Sequence, residues 1–286
     1  MYLTLFTRVL TSCSLIDEIT NWVIILLWLL SMIIIEIIDG GPWERKEETK
    51  MIKGRWFVTG DCHGEFARLW RFIKKFNLGV GDNIIVCGDM GLYWNKDKRD
   101  AEFWAKQYEE NCNGVHLWWI DGNHENFDII KTFGNKSYEC SPHITYLPRG
   151  TVLKTPIGNM LFVGGADSVD KIFRTEHLSW WKEERITEED IEGITGHYKY
   201  VFSHCCPYDV FVNNKAHLCT LSNINEKVAI HDSEKMLEKL RNNITYDYWF
   251  FGHYHVDAHM WPTGDRVSQE RCVYTDFVEI GGDYVE

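Results

Sequence analysis

Apolar and polar positions alternate with two different periods in the part of the chain that follows residue 51. Short runs rich in Ile, Val and Trp predict strands at residues 55–59, 83–87 and 115–120. Between these runs, apolar side chains recur every three or four residues, which predicts amphipathic helices at 65–76 and 97–111. Strands that alternate with helices of this length are typical of an α/β layered domain.

The middle of the chain has a different pattern. Apolar runs at 144–147, 151–155 and 160–163 are separated by turns that contain proline and glycine, which predicts an antiparallel meander. A loop is expected from 164 to 174. Residues 175–193 are acidic, and Thr187 is followed by three acidic residues in the manner of a helix start, so we expect this segment to be helical.

The last third of the chain returns to longer elements. Strands are expected at 198–203 and 247–251, a helix at 232–242, and a closing strand within 271–280. Because no internal repeat or low-complexity linker interrupts residues 51–286, we predict that they form one domain.

The first fifty residues form a hydrophobic extension that differs from the rest. Residues 22–35 are apolar apart from Ser31, but a helix of that length is roughly 21 Å long, shorter than the roughly 30 Å hydrocarbon core. One interpretation is a membrane anchor at residues 20–38, with the following basic residues keeping the main domain in the cytoplasm. The other, slightly favoured, is a dispensable or upstream-translated leader before a natural start at Met51.

Composition narrows the class of protein. The formal net charge of −12 argues against a protein that binds long nucleic acid through a broad basic surface. Bound cations could still attract a phosphate-containing substrate. The nine cysteines include no C-x-x-C pair, so neither a disulfide framework nor a structural zinc site is indicated. A reducing, cytoplasmic location is the simplest interpretation.

Candidate metal ligands follow five of the predicted strands. The seven donors are carboxylate, amide and imidazole groups, a mixture that suits Mn, Fe, Zn or Ni better than Ca. Seven are too many for one ion with open positions and about right for two ions that share a bridge. In chain order the donors are Asp61, His63, Asp89, Asn123, His204, His253 and His255.

In this order the motifs closely resemble those of the calcineurin-like metallophosphoesterase superfamily. The matching stretches are Asp61-Cys62-His63, Gly88-Asp89, Gly122-Asn123-His124-Glu125, His204 and Gly252-His253-Tyr254-His255. The resemblance implies a four-layer αββα sandwich in which two mixed β-sheets are flanked by helices. It assigns one divalent ion to Asp61, His63, Asp89 and His255, and a second to Asp89, Asn123, His204 and His253, with Asp89 as the bridge.

The resemblance also implies a reaction. A hydroxide that bridges the two ions would attack a phosphomonoester or phosphodiester, and His124 would protonate the leaving oxygen as a general acid. Asp121 could orient His124 or could equally be an ordinary turn carboxylate. In the predicted loop, Arg174 is a candidate to bind a phosphate oxygen, with a surface ion pair as the equal alternative.

One motif departs from the protein-phosphatase pattern. Serine/threonine protein phosphatases carry Asp and Arg after the second motif, where this chain has Leu92 and Tyr93. The chain therefore resembles small bacterial or phage-type members outside that group. The first alternative is a nuclease or a nucleotide phosphodiesterase or pyrophosphatase. A protein phosphatase and a non-catalytic metal-binding scaffold are less favoured. Stacking of an aryl group on the pairs Tyr93-Trp94 or Trp180-Trp181 is a further hypothesis, with core packing favoured.

Overall fold

The computed structural model describes residues 54–95, 98–222, 232–261 and 269–282. The predictions for residues 1–50, including the anchor at 20–38 and the start at Met51, lie outside these ranges. Within them, no helix combines the length and the apolar composition that a membrane span requires.

The described residues form twelve strands and six α-helices, which alternate through the first half. The helices are α1 Phe66–Lys75, α2 Lys98–Asn111, α3 Phe127–Ile130, α4 Glu188–Ile191, α5 Tyr208–Ser222 and α6 Asp232–Asn243. The strands are β1 Trp56–Thr59, β2 Asn83–Val86, β3 His116–Trp119, β4 Tyr138–Ser141, β5 Ile144–Tyr146, β6 Thr151–Thr155, β7 Gly158–Val163, β8 Gly196–Ser203, β9 Ile244–Phe251, β10 Ala258–His259, β11 Gln269–Cys272 and β12 Val278–Ile280.

These strands form two six-stranded mixed sheets. The first has the order β12-β1-β2-β3-β5-β4 and the second the order β10-β11-β9-β8-β7-β6. In each sheet the four central strands are parallel, and each edge strand is antiparallel to its neighbour. Parallel strands point their carboxyl ends to one edge, which is where loops can assemble a site.

Alternation along the strands explains the layers. In β2, Ile84 and Val86 pack in the same cluster as Leu69 of α1, whereas Ile85 packs in a separate cluster with Phe202 of the second sheet. A third cluster joins the other face of the second sheet to α5 and α6. Helices therefore cover the outer face of each sheet, and the predicted sandwich of two mixed sheets flanked by helices is confirmed.

The predicted antiparallel meander is correct for its last two strands and wrong for its first. Strand β5 joins the first sheet parallel to β3, while β6 and β7 form a hairpin in the second sheet. The physical reason lies in β5, whose three residues are all buried, as expected for a strand inside a sheet with both faces covered.

The helix predicted for residues 175–193 is also wrong, apart from short turns at Lys182–Glu184 and α4. Arg149 explains the difference, because its guanidinium donates hydrogen bonds to the carbonyl oxygens of Glu183, Glu184 and Arg185. A continuous helix would need those oxygens as acceptors for its own backbone hydrogen bonds. The predicted helix start is correct, since Asp190 accepts a hydrogen bond from the Thr187 backbone N–H just before α4.

Candidate active site

Every predicted ligand lies just beyond the carboxyl end of a parallel strand. Asp61 follows β1, Asp89 follows β2, and Asn123 follows β3 in the first sheet. His204 follows β8, and His253 with His255 follows β9, in the second sheet. The strand-end placement expected from the sequence is confirmed, and loops of the two sheets face one another across the site.

Motif glycines allow these loops to approach closely. A Cβ atom at Gly88, whose φ is +87°, would overlap the ring of His204. A Cβ at Gly122 would overlap the carboxylate of Asp89 and come within 2.7 Å of His204 Nε2. Glycine is required at both positions because a ligand side chain occupies the space that a side chain there would fill.

Four of the predicted ligands have a left-handed backbone, which non-glycine residues rarely adopt. The φ angles are 47° at His63, 48° at Asp89, 70° at His253 and 53° at His255. Such conformations cost roughly 1–3 kcal/mol each and concentrate at functional sites. Here they turn side chains of neighbouring loops toward a common centre.

Asp61, His63 and His255 converge as a first group of ligand atoms. The Nε2 atoms of the two imidazoles are 3.0 Å apart, and Asp61 Oδ2 is 3.0 Å from His255 Nε2. Asp61 Oδ2 is buried, and neither this contact nor one from any other described residue has the geometry of a hydrogen bond. Donors that share one ion at metal–nitrogen distances of about 2.1 Å lie roughly 3–3.5 Å apart, so this arrangement fits a cation.

Asp89, Asn123 and His204 converge as a second group. His204 Nε2 is 3.4 Å from Asp89 Oδ1 and 3.2 Å from Asn123 Oδ1. His204 Nδ1 lies 2.7 Å from the carbonyl oxygen of Cys87, which fixes the proton on Nδ1 and leaves Nε2 as the ligand atom. The ring of His253 is 5.0 Å from that of His204, at the margin of this group.

Asp89 lies between the two groups, since its Oδ2 is 3.7 Å from His63 Nε2 while its Oδ1 faces His204. The structure thus brings all seven predicted ligands together. Which ion each would bind stays a prediction.

The electrostatics of the site favour a bound cation. Burial would raise the pKa of Asp61, but the neighbouring histidines, His204 foremost, hold it well below its usual range. Burial lowers the pKa of His204, but the carboxylates of Asp89 and Asp61 outweigh it and raise that pKa to about 10. Two buried carboxylates therefore stabilise a positive charge between them, and metal ions can take the place of that proton.

His124 lies beside this centre and contacts Arg174. Its backbone N–H donates to Asp89 Oδ1 over 2.8 Å, and its Nε2 accepts from Arg174 Nη2 over 2.7 Å. Burial and the charge of Arg174 lower the pKa of His124, although Asp89 opposes them. His124 also lies within ligand distance of His63 and Asp89, but the guanidinium at Nε2 disfavours a second cation there.

Arg174 is largely enclosed rather than a surface cation, with 7% of its side chain exposed. Its Nε is 2.6 Å from Asp170 Oδ1, so the ion pair expected as an alternative is present as well. Arg174 and Asp170 line a pocket of about 230 Å³ together with Asp89, Asn123 and His124. The guanidinium therefore faces the same space as the ligand groups.

Two other expectations are resolved by packing. Asp121 accepts hydrogen bonds from Tyr146 and Arg149, so it anchors a neighbouring loop instead of orienting His124. The aromatic pairs are mainly core. Their buried members are Tyr93, Trp180 and Trp181, while the partly exposed Trp94 has its ring 5.2 Å from that of His124.

Sequence reasoning missed buried polar residues that hold the site together. Glu125 accepts hydrogen bonds from the backbone N–H groups of Met90 and Gly122, over 2.8 and 2.6 Å. Ser168 accepts a hydrogen bond from Asn123 Nδ2 and donates one to Glu184. Glu125 could have been found from its place in the Gly-Asn-His-Glu motif, whereas nothing local in the sequence marks Ser168 or Glu184.

A further group of metal-ligating types, away from the pocket, has a simpler explanation. Glu109, Cys112 and His143 lie within ligand distance of one another. The Glu109 carboxylate already accepts hydrogen bonds from Ser141 and His143, over 2.6 Å each. We interpret this group as a hydrogen-bonded cluster that ties α2 to the turn between β4 and β5.

Comparison with known proteins agrees with this geometry. The family model of calcineurin-like phosphoesterases matches residues 54–257, which include all seven predicted ligands, His124 and Arg174. No curated protein matches the chain.

Proposed function

The chain belongs to the calcineurin-like phosphoesterase family, and we propose that it is a two-metal hydrolase of a small phosphate monoester or diester. Metal-dependent phosphoester hydrolysis is the activity that membership implies. The observation that carries the finer proposal is the position of Asp89, whose two carboxylate oxygens face different ligand groups.

The ligand groups would hold two divalent ions, of Mn, Fe, Zn or Ni. We assign Asp61, His63, Asp89 and His255 to the first ion, and Asp89, Asn123, His204 and His253 to the second. Ions held in this way would supply a nucleophile from water at neutral pH and offset the negative charge of the phosphate.

We assign the role of general acid to His124 and that of phosphate binding to Arg174. An arginine cannot accept a hydrogen bond, so the 2.7 Å contact means that His124 Nε2 is the acceptor without substrate. A substrate phosphate oxygen would accept from Arg174 in its place. His124 Nε2 would then be free to carry the proton that the leaving oxygen receives.

Pocket size and charge favour a small substrate over a polymer. The pocket of about 230 Å³ suits the head of a small ester, and the chain carries a net charge of −12, which disfavours long nucleic acid. The alternative to an enzyme is a non-catalytic scaffold. The presence of seven converging ligands together with His124 supports catalysis instead.

A panel of metals and substrates tests the proposal. Metal-free protein would be loaded with Mn, Fe, Zn or Ni and assayed on p-nitrophenyl phosphate, its bis ester, a cyclic nucleotide, a nucleoside diphosphate and a phosphoprotein. We expect turnover of at least one small ester, and its loss with a chelator. Turnover of the phosphoprotein alone would identify a protein phosphatase, and no turnover with any metal would support the scaffold.

A further inference from the structure

Glu184 is a buried carboxylate for which the proposed reaction has no use. It is 1% exposed and lies at the end of a short turn, 61 positions after Asn123 in the chain. Its Oε1 accepts hydrogen bonds from the Ser168 backbone N–H over 2.7 Å and from Trp180 Nε1 over 2.8 Å. Its Oε2 accepts from the Ser168 hydroxyl over 2.8 Å. Both carboxylate oxygens are therefore committed, chiefly to Ser168.

The Ser168 hydroxyl links this carboxylate to Asn123. A serine hydroxyl has one hydrogen, and here that hydrogen is donated to Glu184. The hydroxyl oxygen can then only accept a hydrogen bond from its other neighbour, the Asn123 side chain, 3.3 Å away. An amide offers hydrogens only from its nitrogen, so Asn123 must present Nδ2 to Ser168.

The opposite end of the Asn123 amide is thereby fixed. With Nδ2 held by Ser168, Oδ1 lies 3.2 Å from His204 Nε2, among the ligand atoms of the second group. An amide turned the other way would place its NH₂ group, which cannot bind a cation, at that position. Carboxylate ligands need no such orientation because both of their oxygens are donors to metal.

We propose that Ser168 and Glu184 are positioning residues that orient the amide of Asn123 so that its oxygen faces the second metal ion. This inference rests on the proposed two-metal function. Partners that orient a ligand in this way change metal affinity by about 10- to 100-fold when they are removed. The effect should be confined to the second ion, since the first group contains no amide.

Metal binding itself gives the test. Metal-free wild type and Ser168→Ala would be titrated with Mn²⁺ at pH 8 by calorimetry, with electron paramagnetic resonance to distinguish single ions from coupled pairs. The wild type should bind two ions. Ser168→Ala should bind the first ion as the wild type does and the second about 10- to 100-fold more weakly. Glu184→Gln should weaken the same ion. As a control, Ser179→Ala, in the same connection between β7 and α4, should bind both ions normally.

A second background separates orientation from general loop stability. In Asn123→Asp, either side-chain oxygen can face the ion, so adding Ser168→Ala should no longer weaken it. If Ser168→Ala weakened the second ion equally with and without Asn123→Asp, the proposal would be overturned, because the effect would indicate loss of loop structure. Normal binding of both ions by Ser168→Ala would overturn it as well. Failure of the wild type to bind two ions would instead count against the proposed function.

Discussion

The side chains of His124 and Arg174 are in direct contact, although the sequence separates them by fifty positions. The contact joins the expected acid to the expected phosphate-binding group. It also means that a substrate phosphate oxygen would compete with His124 Nε2 for the same N–H group of Arg174. Their substitutions should therefore have different kinetic signatures.

We predict that His124→Ala lowers kcat by about 10²- to 10⁴-fold while two metal ions remain bound. The loss should be larger for phenyl phosphate than for p-nitrophenyl phosphate, because the poorer leaving group depends more on a proton. Arg174→Ala should mainly raise KM, since it removes a contact to the substrate. Steady-state kinetics on both esters, with metal analysis of each variant, measures these effects.

An unchanged kcat in His124→Ala would remove its role as acid. If the loss were equal for the two esters, His124 would contribute to something other than proton donation. A lower metal content in either variant would mean that the residue supports the ions, contrary to the assignment.

Residue identities and order predict this centre well, but they do not predict what surrounds it. The seven ligands and His124 were found because each follows an apolar strand and matches a motif. Ser168 and Glu184 act through contacts between distant segments, and a serine in a loop or a glutamate in an acidic stretch has no distinguishing local pattern. For the same reason Asp121 could not be assigned until its bonds to Tyr146 and Arg149 were known.

At the scale of elements, Glu125 ties the loop after β2 to the loop after β3. Its carboxylate is fully buried and accepts one backbone N–H from each loop. Burial, together with the nearby charge of Asp89, raises the pKa of Glu125 well above its usual range. The two hydrogen bonds therefore stabilise a carboxylate whose burial is unfavourable. Through that carboxylate they also fix the distance between the ligands on the two loops.

We predict that Glu125→Gln destabilises the protein by about 1–3 kcal/mol, because the amide NH₂ would face a backbone N–H and leave one donor unsatisfied. Chemical denaturation of the metal-free protein measures the change. Glu189→Gln on the exposed face of α4 is the matched control and should stay within about 0.5 kcal/mol of the wild type. If the two variants were equally stable, Glu125 would not stabilise the link between the two loops.

Strands were easier to predict than the connections between them. The strands at the centre of each sheet are buried apolar runs, which can be recognised from the local sequence alone. Two of them, β8 and β9, begin two or three residues earlier in the structure than predicted. The expected closing strand is two strands, β11 and β12, in different sheets. Helix α5 and strand β4 were not predicted. The helix expected at 175–193 does not form as one element, because Arg149 donates hydrogen bonds to its carbonyl groups. That competition comes from residues far away in the chain.

At the scale of the whole molecule, the family match and the described sheets lie within the predicted domain of residues 51–286. We predict that a chain beginning at Met51 is soluble, binds two metal ions and has the kcat of the full chain. Expression of both forms, with thermal unfolding and activity measured side by side, checks this. An insoluble or inactive shorter form would assign a structural role to residues 1–50.

The proposed reaction depends most on two ions that share Asp89. The most direct test is to add Mn²⁺ stepwise to the metal-free protein while following p-nitrophenyl phosphate hydrolysis and bound metal together. We predict that activity rises to a plateau at two ions per chain, and that Asp89→Asn loses both the plateau and the coupled pair of ions. A plateau at one ion, or an Asp89→Asn variant that behaves as the wild type does, would contradict the account.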